Sequence, residues 1–283
     1  MLTAVDRVIL VADDPRTAAT PFEQLLGAAI VGARSSAVLG GEGLVLRLGT
    51  SEVEIYRPTE AGPLHDFATR WGRGLAAVGF ATADLPGVEQ RLRERGVAVQ
   101  DDGGRLFVPA EATFGMPCLV VAEEQRRPVG LVRHLYEVTN VVDDWRAAEA
   151  RYADLFGLDR GVFCPIRSDR WGYEGVLTLF HPRRLHRIEI TQPWGDGAMA
   201  RFHRRRGPSL YMCFAEADVI APIAERLQQA GARFAWEDEH DPTVGLFIHP
   251  SALAGMLMGI SRTHHAWTWS GHPEWAVAGP PDG

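Results

Sequence analysis

The sequence contains no lysine: all 29 of its basic residues are arginine. Schiff-base catalysis by a lysine amine is therefore excluded, and so is a P-loop, whose lysine reaches the phosphates. Three cysteines, Cys118, Cys164 and Cys213, have neither the spacing of a zinc knuckle nor the even count of a disulfide framework, which fits a reducing cytoplasm. No apolar run approaches the roughly 20 residues of a membrane span. The opening Met1-Leu2-Thr3-Ala4-Val5-Asp6 has no basic region followed by an apolar one. A soluble, cytoplasmic protein without membrane contact is expected. The net charge of -7 argues against a general nucleic-acid binder. Gly40-Gly41-Glu42-Gly43 lacks the strand-to-helix context of a dinucleotide loop and reads as a hairpin turn.

What is present is length and repetition. With 283 residues, 46% of them hydrophobic, the chain can fill two ordinary domains. Val5 to Val11 reads as a strand, Pro15 to Leu26 as a helix closed by Gly27, and Leu44 to Leu48 and Glu52 to Tyr56 as two strands around a Gly49-Thr50-Ser51 turn. The pattern restarts with a strand at Leu75 to Ala81 and a helix at Leu85 to Arg95. From Gly130 it recurs with residue-level similarity: Glu52-Val53-Glu54-Ile55-Tyr56-Arg57-Pro58 matches Arg187-Ile188-Glu189-Ile190-Thr191-Gln192-Pro193, an offset of 135 residues. The chain thus reads as a tandem duplication of a unit that is itself doubled, with Glu123 to Gly130 as linker.

Alternation along Arg187 to Pro193 turns Ile188 and Ile190 to a core and Arg187, Glu189 and Thr191 to the other face. Val132-Arg133-His134-Leu135-Tyr136-Glu137-Val138 is a second strand-like run, with His134 and Tyr136 on one face. If both strands share a sheet, His134 and Glu189 point into one concavity.

This layout resembles the vicinal oxygen chelate superfamily, which includes glyoxalase I, methylmalonyl-CoA epimerase, bleomycin-resistance proteins and type I extradiol dioxygenases. The resemblance rests on the run opening at Val132, on Tyr152-Ala153-Asp154-Leu155-Phe156-Gly157-Leu158, on the strand through Glu189, and on Phe247-Ile248-His249-Pro250 leading to Gly255-Met256-Leu257. It implies an α+β fold of four βαβββ modules in two tandem glyoxalase-like domains with curved mixed sheets. Residues 1-124 form an N-terminal domain, 130-266 a C-terminal domain bearing the active site, and 267-283 an aromatic tail.

The resemblance also implies a divalent metal, Zn, Fe, Mn, Ni or Co, held by His and Glu from equivalent strands and acting as a Lewis acid. His134 falls at the first ligand position and Glu189 at the second, Tyr211 at the third and Gly259 at the fourth. The set is incomplete unless Tyr211, His249 or His203 completes it. Ring cleavage of the extradiol type, which needs two His and one Glu, is disfavoured because only the first His is in place. In the first half the corresponding positions hold Arg7, Glu54, Ala77 and Leu119, so that half is structural.

Three readings of the pair stand side by side. His134 and Glu189 hold a metal; or they act without one, as an acid-base pair with Tyr211 donating to a developing oxyanion; or they are a hydrogen-bonded relic in a silent cup that sequesters a ligand, as bleomycin-resistance proteins do. Tyr136, Trp194, Arg206 and Cys213 are candidates for binding a small-molecule substrate, Arg206 as a clamp for an anionic tail and Cys213 as either a nucleophile or a small buried side chain. The expected reaction is of the lyase or isomerase kind, a proton transfer beside a carbonyl or enol. The tail, with Trp267, Trp269 and Trp275, suits packing over a cup mouth or at a homodimer interface.

Overall fold

Helix starts and stops repeat across the duplication. In the computed structural model, which describes residues 1–281, helix α1 (Pro15–Leu26) is capped by Asp14, whose side chain accepts from the Arg16 N–H, and it stops at Gly27 in the left-handed region. Helix α4 (Trp145–Phe156) repeats this with Asp144 and Gly157.

The first half runs β1 (Leu2–Val11), α1, β2 (Ala29–Ser36), β3 (Gly41–Leu48), β4 (Ser51–Pro58), α2 (Pro63–Trp71), β5 (Gly74–Thr82), α3 (Leu85–Glu94), β6 (Gln100–Asp101), β7 (Leu106–Val108) and β8 (Cys118–Ala122). The second runs β9 (His134–Val141), α4, β10 (Cys164–Ser168), β11 (Tyr173–His181), β12 (Arg184–Pro193), α5 (Ala198–Arg206), β13 (Ser209–Ala217), α6 (Ala221–Gln229), β14 (Phe234–Trp236), β15 (Gly245–Ile248) and β16 (Leu257–Arg262). Each half forms one curled, mixed eight-stranded sheet, ordered β2-β3-β4-β1-β5-β8-β7-β6 and β10-β11-β12-β9-β13-β16-β15-β14. This is the α+β arrangement of four βαβββ modules in two tandem glyoxalase-like domains.

One face of each sheet enters a common core. Val8, Val53, Ile55 and Phe80 from the first half join Val138, Ile188, Ile190 and Ala215 from the second, with Phe22 of α1, Leu92 of α3, Tyr152 of α4 and Ile223 of α6. The Phe80 ring meets Phe156 and Phe180 at 6.1 and 5.8 Å between centroids. Hydrogen bonds cross between the halves: the Leu135 N–H donates to Ser51 Oγ (2.9 Å) and the Val5 N–H to His186 Nδ1 (3.2 Å). The opposite faces are separate cups, one lined by Tyr56, Leu64 and Phe107, the other by Tyr136, Phe214 and Trp267. Among the described residues no helix is long and apolar enough to cross a membrane.

Candidate active site in the C-terminal cup

Strand β12 alternates as its sequence requires: Ile188 and Ile190 are fully buried in the common core, so Arg187, Glu189 and Thr191 turn into the cup. Strand β9 does not alternate simply. Glu137 pairs with Phe214 while Leu135 pairs with Ala215, so Tyr136 is an extra residue in a bulge. Tyr136 and Glu137 therefore both lie on the cup side, between the core residues Leu135 and Val138.

The cup encloses a cavity of about 430 Å³ lined by three carboxylates, Glu137, Glu189 and Glu237, and by the rings of Trp171, Tyr173, Phe214, Phe247 and Trp269. Glu137 is neutralised: Arg187 Nε donates to it at 2.5 Å. The Arg187 guanidinium is wholly buried, 5.2 Å from the Tyr136 ring, and its Nη2 has no hydrogen-bond partner among the described residues. Glu189 is 7% exposed and, among the described residues, forms no ion pair. It accepts a hydrogen bond from the Thr139 hydroxyl at Oε2. Burial first, and the nearby Glu137 charge second, push the Glu189 carboxyl up to about 8. Burial first, then the charge of Glu189, raise the phenol of Tyr173 beside it.

The other sequence candidates lie elsewhere. His134 does not meet Glu189: its Nε2 is 3.4 Å from Glu216, its ring is 5.0 Å from that of His186, and burial, opposed by Glu216, lowers the imidazole from its ordinary value. The strand alternation that would have placed it in the cup is interrupted by the bulge at Tyr136, and Glu137 takes that place. Tyr211 stacks edge-on against Phe202 at 4.8 Å, close enough to Glu189 to feel its charge but not lining the cavity. Tyr136 is buried beneath the cavity with its hydroxyl 3.0 Å from Ser261 Oγ. Cys213 is buried in the common core, its Sγ 3.5 Å from Met256 Sδ, and is not a cup residue. Arg206 is wedged among Phe67, Trp71 and Phe202 between α2 and α5, so it offers no anion clamp to the cup. Trp194 stacks under Arg167, which does line the cavity. His249 bonds to Ser251 and His203 Nε2 lies 3.0 Å from Asp143, so neither completes a set with Glu189.

These residues do not fit the divalent ion the resemblance implies. Glu137 is held by Arg187, and the partners across the adjacent strands at that level are Phe214 and Gly259, which carry no donor. Among the described residues no three His, Cys, Asp or Glu side chains are gathered for a metal. Glu137, Tyr173 and Glu237 were missed by sequence reasoning; the only signal for Glu137 was its position three residues after His134 in the same strand.

The N-terminal cup is self-satisfied. Glu54 is fully buried and receives Arg7 Nη1 (2.5 Å), Arg105 Nη1 (2.9 and 3.0 Å) and the Tyr56 hydroxyl (2.8 Å). Burial opposes its charge, but Arg7, Arg105 and Arg34 outweigh burial and hold the carboxylate down at about 2.

No family model matches the sequence. No curated protein matches it either. Among solved structures, a variant of 4-hydroxymandelate synthase from Streptomyces coelicolor is similar at a TM-score of 0.71 and 14% identity, covering 93% of each chain. A xylose isomerase-like TIM barrel/4-hydroxyphenylpyruvate dioxygenase fusion protein is similar at 0.63 and 13%, over 93% of this chain and 49% of that one. Methylmalonyl-CoA epimerase from Mycobacterium tuberculosis covers 47% of this chain and 89% of its own at 0.40 and 22%. What the chain shares with the two larger of these structures is the fold, two curled sheets of paired βαβββ modules in tandem.

Proposed function

We propose that this protein is a small-molecule enzyme of the isomerase or lyase kind, in which Glu189 moves a proton at a carbon beside a carbonyl. One observation carries the reading: Glu189 is a buried carboxyl that forms no ion pair among the described residues, and it opens onto a cavity. Burial poises it near neutral pH, where a carboxyl can both take and return a proton. Tyr173, which lines the cavity beside it, donates to the oxygen on which charge develops, the role expected from sequence for Tyr211. The aromatic walls exclude water and hold the substrate. No step passes through a metal.

The test is deuterium wash-in from heavy water at the carbon next to the carbonyl of hydroxyacetone and aminoacetone, followed by proton NMR. Glu189→Gln should lose on the order of 10²-fold or more of any exchange. His134→Ala, remote from the cavity, should stay within about twofold of the parent, because truncation there removes no group that reaches substrate. Exchange that survives in Glu189→Gln would overturn the reading. The rival, a silent sequestering protein, draws on the five aromatic rings of the cavity; it predicts tight binding with no exchange in either variant.

A further inference from the structure

The duplication provides an internal comparison, because the pairing registers of the two sheets can be matched strand for strand. Arg7 faces Glu52 and Gly79, Gly79 faces Leu119, and Leu119 faces Phe107. In the second sheet Glu137 faces Arg187 and Phe214, Phe214 faces Gly259, and Gly259 faces Phe247. Glu54 therefore corresponds to Glu189, Phe107 to Phe247, and, two residues earlier, Arg105 to Gly245. The backbone confirms the match: the Asp102 N–H donates to the Arg105 carbonyl (2.7 Å) and the Glu237 N–H to the Gly245 carbonyl (3.1 Å), so Asp102 corresponds to Glu237.

In the first cup the Arg105 guanidinium bridges two carboxylates. Its Nη1 donates to both oxygens of Glu54 and its Nη2 to Asp102. In the second cup both carboxylates are kept, as Glu189 and Glu237, but the guanidinium is gone and Gly245 stands in its place. A side chain at 245 would collide with Glu237 Oε2, which leans into the vacated space. His265 Nε2 approaches Glu237 Oε1 at 3.4 Å, Arg187 is committed to Glu137, and Arg167 on the cavity wall is committed to Asp169 and Glu174. The cavity is thus one cation short, and it is walled by rings whose faces attract cations.

We propose that the C-terminal cup binds its ligand through a planar guanidinium- or amidinium-type cation placed between Glu189 and Glu237, where the first cup holds Arg105. Two carboxylates set to receive N–H donors from one group give bidentate, charge-assisted recognition that a neutral isostere cannot match. The inference rests on this cup being the ligand site, and not on proton transfer there.

Calorimetric titration of the full chain with benzamidinium, against neutral benzamide of the same shape, tests it. Benzamidinium should bind one to one and about tenfold or more tighter than benzamide. Glu189→Gln and Glu237→Gln should each weaken it by about tenfold or more, since each removes one charged acceptor. Gly245→Arg, which supplies the cation from within, should abolish binding; melting curves and circular dichroism establish that each variant is folded. Should the nearby Ile260 carbonyl prevent Gly245→Arg from folding, the two Gln variants decide. Equal affinity for the two probes, or no response to either Gln substitution, overturns the proposal. Exchange at the carbon acid without cation binding would sink this proposal alone, and cation binding without exchange would sink the proton-transfer reading alone.

Discussion

Glu189 and Glu54 are the same residue of the same repeated phrase, yet their surroundings drive them in opposite directions. Three arginines, Arg7, Arg105 and Arg34, hold Glu54 ionised, whereas Glu189 has a hydroxyl and a neighbouring carboxylate. Because Glu189 is raised when folded, the native state holds a proton that the unfolded state has released between about pH 4.5 and 8. Stability therefore falls as pH rises through that window, with a slope of up to ~1.4 kcal/mol per pH unit from this group. Glu189→Gln removes the slope, so denaturant titrations at pH 5 and pH 9 should show the variant gaining on the parent at the higher pH. Arg187 makes the opposite demand. It is wholly buried and is the cation paired with Glu137, so Arg187→Met should cost about 3–5 kcal/mol by urea unfolding, since it strands a buried carboxylate.

At the scale of the element, the alternation of β12 was legible because Ile188 and Ile190 leave its register no freedom. The strand through His134 was misread because a single inserted residue reverses which side chains share a face, and periodicity does not reveal an insertion. The bulge puts Glu137, not His134, on the cup side beside Glu189. The turn before β4 carries a further constraint. Gly49 is in the left-handed region (φ 62°), exchanges backbone hydrogen bonds with Val129 of the linker, and has the Arg133 carbonyl where a Cβ would be. Gly49→Ala should therefore destabilise by about 1–3 kcal/mol or more, by combining a disfavoured φ with displacement of the second domain's entry. Thermal denaturation followed by circular dichroism checks this.

Across the whole molecule, the two sheets share one apolar core although they carry separate cups. Neither half covers that face alone, so the chain should unfold in one calorimetric transition with matching van't Hoff and calorimetric enthalpies. Two resolved transitions would show that the halves are thermodynamically independent. The aromatic tail belongs to this scale as well: Trp267 is buried against the second cup and Trp269 lines its cavity, so the last segment completes a wall rather than standing free.

The amino-acid order by itself determined the duplicated architecture, because hydrophobic periodicity, capping residues and a repeated seven-residue phrase are all local signals. It also identified Glu189, since period-two alternation fixes which residues of a half-buried strand face outward. Only the tertiary structure decided which groups Glu189 meets, because a bulge in β9, the loss of a side chain at Gly245 and the pairing of Arg187 with Glu137 are relations between strands distant in the chain. Such relations set charge balance in a low-dielectric pocket, where one missing guanidinium separates a cup whose carboxylates are bridged from one whose carboxylates are not.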